Sequence, residues 1–174
     1  LAAGGGKVYE WYDAANDRTV LFGGAQAGNV RVDETWLYDG SDWSQAQPAI
    51  SPPPRAGHPM AYDPARGRVV LFGGIGAGLL SDTWTWDGSN WQQMSPTTVP
   101  PGRLSHPLVW HPGRATCVMH GGNSLAGALA DTWEWDGVDW QAIPTANAPT
   151  SRWAADMAYD PNAGGLVLFG GYPG

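Results

Sequence analysis

The chain has 174 residues, 16 acidic against 9 basic side chains for a formal charge of −7, and 25 glycines with 15 prolines. That balance excludes a nucleic-acid surface built on clustered Lys and Arg, and the Gly and Pro content excludes a fold of long helices. No apolar run approaches the ~20 residues that a membrane-spanning helix needs.

A 43% hydrophobic content is enough to fill one substantial core. Cys117 is the one cysteine, so neither an internal disulfide nor a CxxC motif can form. Leu1 opens the chain without a signal-type segment, which is read as the boundary of a piece of something longer.

In chain order, one phrase recurs four times: Val20-Leu21-Phe22-Gly23-Gly24, Val70-Leu71-Phe72-Gly73-Gly74, Val118-Met119-His120-Gly121-Gly122 and Val167-Leu168-Phe169-Gly170-Gly171. First glycines are 50, 48 and 49 residues apart, the period of a four-stranded propeller blade. An aromatic residue stands eleven positions before each first glycine (Tyr12, Tyr62, Trp110, Tyr159), and an arginine eighteen before it at Arg55, Arg103 and Arg152. The repeat units are 5–54, 55–102, 103–151 and a truncated 152–174, the first having Gly5 in the arginine column.

Within the second unit, the first predicted strand runs from Gly57 to Tyr62, and the turn Asp63-Pro64-Ala65-Arg66-Gly67 returns the chain. Arg68-Val69-Val70-Leu71-Phe72 is continuously apolar after its arginine and predicts a strand covered on both faces. The double glycine follows where the chain must bend away. Thr83-Trp84-Thr85-Trp86 alternates, which predicts a half-buried third strand, and an Asp-Gly turn leads to the short polar Trp91-Gln92-Gln93 at the outer rim. The same third strand and turn appear as Glu34-Thr35-Trp36-Leu37-Tyr38-Asp39-Gly40 with Trp43 and as Asp131-Thr132-Trp133-Glu134-Trp135-Asp136-Gly137 with Trp140.

Together these motifs resemble the kelch-repeat family of β-propellers, in a tryptophan-rich, bacterial-type variety with D-T-W-x-[WY]-D-G-x-x-W. The resemblance implies an all-β kelch-like propeller of four-stranded antiparallel blades. Val118-Met119-His120 and Gly4-Gly5-Gly6-Lys7 depart from the pattern. Counting strands leaves about three and a half blades, so an open arc would present apolar end faces to water. Closure is expected from a second copy, as a homodimer, or from the missing remainder of a larger propeller.

Function is less legible than fold, because propellers host lectins, oxidases and binding modules alike. Arg55, Arg103 and Arg152, with His58 and His106 three residues after the first two, are expected near the mouth of a central channel. There they are candidates to hold a carboxylate or phosphate, as in an acidic peptide or a small anion. The competing reading pairs each arginine with the acid that opens a third strand, Glu34, Asp82 or Asp131. Among eleven tryptophans, those in recurring columns are expected to pack between blades, whereas Trp11 and Trp153 fall outside the columns. Trp153 joins the channel-mouth candidates as a sugar contact. No metal-ligand spacing, cofactor motif or nucleophile elbow appears. The acidic turns at Asp39 and Asp136 fit hairpins rather than calcium cages. The expectation is a non-catalytic binding module, the alternative a lectin or an enzyme with its site at the channel mouth.

Overall fold

The computed structural model describes residues 10–174, so the departure at Gly4 to Lys7 lies outside the described residues. The chain is all-β. In order its strands are β1 (Glu10–Asp13), β2 (Arg18–Phe22), β3 (Thr35–Tyr38), β4 (Trp43–Ala46), β5 (Met60–Asp63), β6 (Arg68–Phe72), β7 (Thr83–Trp86) and β8 (Trp91–Gln93). They continue as β9 (Leu108–His111), β10 (Thr116–His120), β11 (Asn123–Ser124), β12 (Gly127–Ala128), β13 (Thr132–Trp135), β14 (Trp140–Ala142), β15 (Arg152–Asp160) and β16 (Gly165–Pro173).

Three sheets are four-stranded and antiparallel, β1-β2-β3-β4, β5-β6-β7-β8 and β9-β10-β13-β14, while β15-β16 is a two-stranded half-blade. The small hairpin β11-β12 occupies the loop after the third double glycine. β1, β5, β9 and β15 lie side by side in that order, so the four sheets follow one another as blades about their first strands.

Pairing in the second sheet begins at Met60 rather than Gly57. Pro59 has no N–H to give a ladder, and Gly57, at φ 67°, turns its carbonyl to the next blade, where Ser105 N–H donates to it at 2.8 Å. Burial of β7 also differs from the expected alternation, since all of Thr83 to Trp86 is buried. Alternation describes an isolated sheet, but this strand is covered by a neighbour on each side. In the first blade β3 does alternate, Thr35 and Leu37 being buried and Trp36 and Tyr38 half-buried.

The contacts that bind blade to blade repeat. Phe22 packs on Trp91 of the following blade with ring centroids 5.0 Å apart, and Phe72 on Trp140 at 4.9 Å. Those indoles donate back across the seam, Trp91 Nε1 to Thr35 Oγ1 and Trp140 Nε1 to Thr83 Oγ1, both at 2.9 Å. Full burial of each phenyl ring contributes about 1.5–3 kcal/mol, and each hydrogen bond about 1 kcal/mol.

Backbone bonds complete the seam: Gly24 N–H donates to Arg55 O, Gly74 to Arg103 O and Gly122 to Arg152 O, each at 2.8 Å. Space adds to backbone angle in calling for glycine at Gly74 and Gly122, where a β-carbon would stand 2.8 Å from Ala56 O and from His106 Cβ respectively. At Gly121, φ 62°, a β-carbon would stand 2.6 Å from the Arg152 carbonyl oxygen.

Candidate functional site

Arg55 and Arg103 precede the first strand of their blades and Arg152 opens it, where proline-rich crossings such as Ser51-Pro52-Pro53-Pro54 deliver the chain. Arg55 is wholly buried. Its Nε donates to Pro53 O at 3.1 Å and Nη1 to Gly73 O at 3.0 Å, while both terminal nitrogens grip Asp82 at 2.7 Å. Arg103 repeats the arrangement on Pro101 O at 3.1 Å, Gly121 O at 2.8 Å and Asp131 at 2.6 and 2.7 Å.

The forked guanidinium matches the carboxylate bidentately, so in these two blades the arginine ties the chain's entry to the third strand. Each carboxylate also accepts an indole N–H, Asp82 from Trp84 at 2.6 Å and Asp131 from Trp133 at 2.7 Å. Burial raises both carboxyl pKa values, but the arginine fork and the indole together outweigh it and hold them below the ordinary range.

His58 and His106 are buried, each ring edge-on to the phenylalanine of the preceding blade, Phe22 or Phe72, at 5.7 Å. Burial first, then the neighbouring guanidinium, favours neutral imidazole: His58 is lowered to about 3 and His106 well below its ordinary value. Arg55 with His58, and Arg103 with His106, thus lie at two successive seams between blades, each 0–1% exposed.

Arg152 keeps the frame without the carboxylate. Nε donates to Thr150 O at 3.1 Å and Nη1 to Gly170 O at 2.9 Å, and Nη2 is turned to Thr150 Oγ1 at 3.1 Å. It is half-buried. Next to it, half-buried Trp153 lies 5.0 Å from the ring of Tyr172, which is 63% exposed. Trp153 and Arg152 are the part of the sequence-derived site that solvent can reach, and Tyr172 is a neighbour that the sequence reading did not name.

Elsewhere most of the repeating indoles act as packing. Trp84, Trp86, Trp91, Trp135 and Trp140 are all buried, and Trp11, outside the columns, packs on the first core cluster. The acidic turns use their carboxylates internally. Asp39 Oδ1 accepts from Ser41 N and Asp42 N at 2.9 and 3.0 Å, and Asp136 Oδ1 from Val138 N and Asp139 N at 2.8 Å. Those bonds, with the Ser41 hydroxyl, lower the Asp39 carboxyl to about 2. Among the described residues, no group of three or more His, Cys, Asp or Glu side chains could hold a metal ion. Cys117 is buried, and burial pushes its thiol pKa up. A cleft of ≈130 Å³ between the second and third blades, bordered by Arg66, Arg68 and Gln92, has room for about four waters.

One column escaped the sequence reading. Two residues after each arginine, Gly57, Ser105 and Ala154 have φ of 67°, 54° and 56°. Ser105 N–H donates to Gly57 O at 2.8 Å and Ala154 N–H to Ser105 O at 2.7 Å, a backbone relay from blade to blade. Only Gly57 hinted at it, because Ser and Ala ordinarily avoid that conformation.

No family model and no curated protein matches the chain.

Proposed function

We propose that this chain is a kelch-like propeller segment serving as a non-catalytic binding or scaffold module, its ring completed by self-association or within a larger propeller. The observation that carries the reading is Phe169. Its counterparts Phe22 and Phe72 are 1% and 0% exposed under the next blade's indole, whereas Phe169 is 81% exposed, with Val167 beside it at 52%. At the opposite end, Trp43 is 37% exposed although its counterparts Trp91 and Trp140 are buried on a preceding phenylalanine. One end presents the ring, the other the indole that covers such a ring.

Light scattering after size exclusion, over a range of concentrations, tests this. The expected species is larger than 18.5 kDa and reverts toward that mass on Phe169→Ser. A stable monomer of 18.5 kDa at all concentrations would overturn self-association.

A lectin is the second reading, favoured by the adjacent Trp153 and Tyr172 rings, since an indole face stacks on pyranose C–H groups. Tryptophan fluorescence titrated with simple sugars tests it, the supporting result being quenching that disappears in Trp153→Ala.

A further inference from the structure

We infer that the cleft between the second and third blades is a binding site for a small carboxylate, gripped by Arg68 and Arg66 at its opening with its carbon body on the apolar side chains below. The site lies wholly within two complete blades. It is therefore independent of how the ring is finished, and it adds a ligand to the binding module proposed above. Val70, Thr85 and Trp135, which border the cleft of ≈130 Å³, are buried, whereas Arg66 and Arg68 are 38% and 37% exposed. Buried residues line its depth and the two guanidinium groups its opening.

Arg66 is held from both sides of the seam. Its Nη1 donates to Asp63 Oδ2 at 2.7 Å in its own blade and to Ala115 O at 3.4 Å in the next. Its guanidinium lies against Gly137, where a β-carbon would collide with Nε and Cζ. Arg68 Nη1 pairs with Asp87 Oδ2 at 3.1 Å. Both arginines thus spend Nη1, and among the described residues no acceptor meets Nε or Nη2 of either. That open edge is one that grips a carboxylate with two parallel bonds.

Charge and size narrow the ligand. Each guanidinium is already balanced by one aspartate, Asp63 or Asp87, so the cleft suits a monoanion better than a phosphate dianion. At about 30 Å³ for each water-sized group it holds about four of them, which fits a short-chain acid such as butyrate. Val70, Met94 and Trp135 give the carbon body an apolar surface, and the arginines fix the planar anion.

The preceding seam supplies an internal comparison. There Arg18 corresponds to Arg68, but Asn16 stands where Arg66 does, donating from Nδ2 to Asp13 Oδ2 at 2.8 Å and lying against Gly88 as Arg66 lies against Gly137. Trp86 matches Trp135, and both indole N–H groups are buried without an acceptor. The orphan indole thus belongs to both seams. The second guanidinium belongs to the later one.

The test uses the intact, isotope-labelled chain and reads its indole N–H signals by NMR while sodium butyrate is added at constant ionic strength, Trp135→Phe and Trp86→Phe identifying the two signals. The Trp135 signal is expected to move saturably, with a Kd on the order of 1 mM for so small a ligand, while the Trp86 signal stays. Arg68→Gln should weaken binding at least tenfold and leave the other indole signals in place, which shows the fold intact. Butyramide, with the same carbon body and no charge, should bind at least tenfold more weakly, a loss that no folding defect imitates.

The α-amide of N-acetylglutamate, titrated beside butyrate, separates the two sources of a carboxylate. Tighter binding of the glutamate compound assigns the site to an acidic side chain of a peptide, and tighter binding of butyrate to a free acid. No saturable shift below ~100 mM butyrate, equal binding of butyramide, tighter binding of inorganic phosphate, or a Kd unchanged in Arg68→Gln would overturn the inference.

Discussion

Lowering the pH from 7.5 to 5.0 is expected to destabilise the fold well before any carboxylate titrates. His58 and His106 are each 1% exposed and stay neutral in the folded chain, because burial, then Arg55 beside one and Arg103 and His58 beside the other, penalises the imidazolium. The Phe22 backbone and Asp82 pull His58 the other way, as Asp131 does His106, without reversing the direction. In the unfolded chain both imidazoles bind protons near the ordinary pKa of ~6.5. Below that pH the unfolded state holds more protons than the folded one, so stability falls with falling pH. The loss per imidazole continues until its folded pKa is reached, about 3 for His58.

The slope is about 1.4 kcal/mol per pH unit for each imidazole. At pH 5.0, about 1.5 units below the unfolded value, the pair costs roughly 4 kcal/mol, a large part of a typical stability of ~5–15 kcal/mol. His120, buried and lowered chiefly by that burial, adds in the same direction. Below about pH 4 the paired Asp82 and Asp131, whose pKa values are lowered, add a further loss. Urea unfolding followed by tryptophan fluorescence measures the slope directly. His106→Asn should remove about half of it between pH 6 and 5, whatever the variant does to absolute stability. Equal stability at pH 7.5 and 5.0, or an unchanged slope in the variant, would refute the assignment of buried neutral imidazoles.

Arg103→Met should cost about 3–5 kcal/mol in the same assay, because it leaves Asp131 without its fork, while Arg152→Ala should cost less than about 1 kcal/mol. Trp140→Phe should cost about 1–2 kcal/mol by leaving the buried Thr83 hydroxyl without its indole donor, and a double-mutant cycle with Thr83→Val should show coupling of about 1 kcal/mol.

How much of this was legible depends on whether a feature recurs in side chains or in backbone angles. The blades were readable because Phe-Gly-Gly, the Asp-Thr-Trp strand and the rim tryptophan recur at one spacing, and each recurrence has a packing role. The arginine and acid columns were visible too, but spacing alone left open whether Arg55 faces a ligand or Asp82. In the structure both terminal nitrogens of Arg55 meet Asp82 at 2.7 Å. Burial of Thr85 could not be read from alternation, since its cover comes from another blade. The left-handed column stayed hidden because Ser105 and Ala154 bear no mark of it, and such strain persists only where surrounding contacts impose it.

The seams share a direction, and that constrains how the ends can meet. Every repeating contact runs one way: a phenylalanine and a threonine on one blade receive an indole from the next, and a double glycine donates to the next blade's arginine carbonyl. The two exposed ends therefore differ, one offering Phe169 and the other Trp43. Contacts between unlike surfaces are heterologous, and copies joined by them form a ring when the rotation closes and a filament when it does not. At the third seam the pattern weakens in a correlated way. His120 replaces phenylalanine, Ala155 replaces the seam histidine, and Thr132 Oγ1 meets His120 Nδ1 at 3.0 Å in place of an indole. The half-blade is thus joined to the third blade chiefly through backbone, by Gly122 to Arg152 and Ala154 to Ser105.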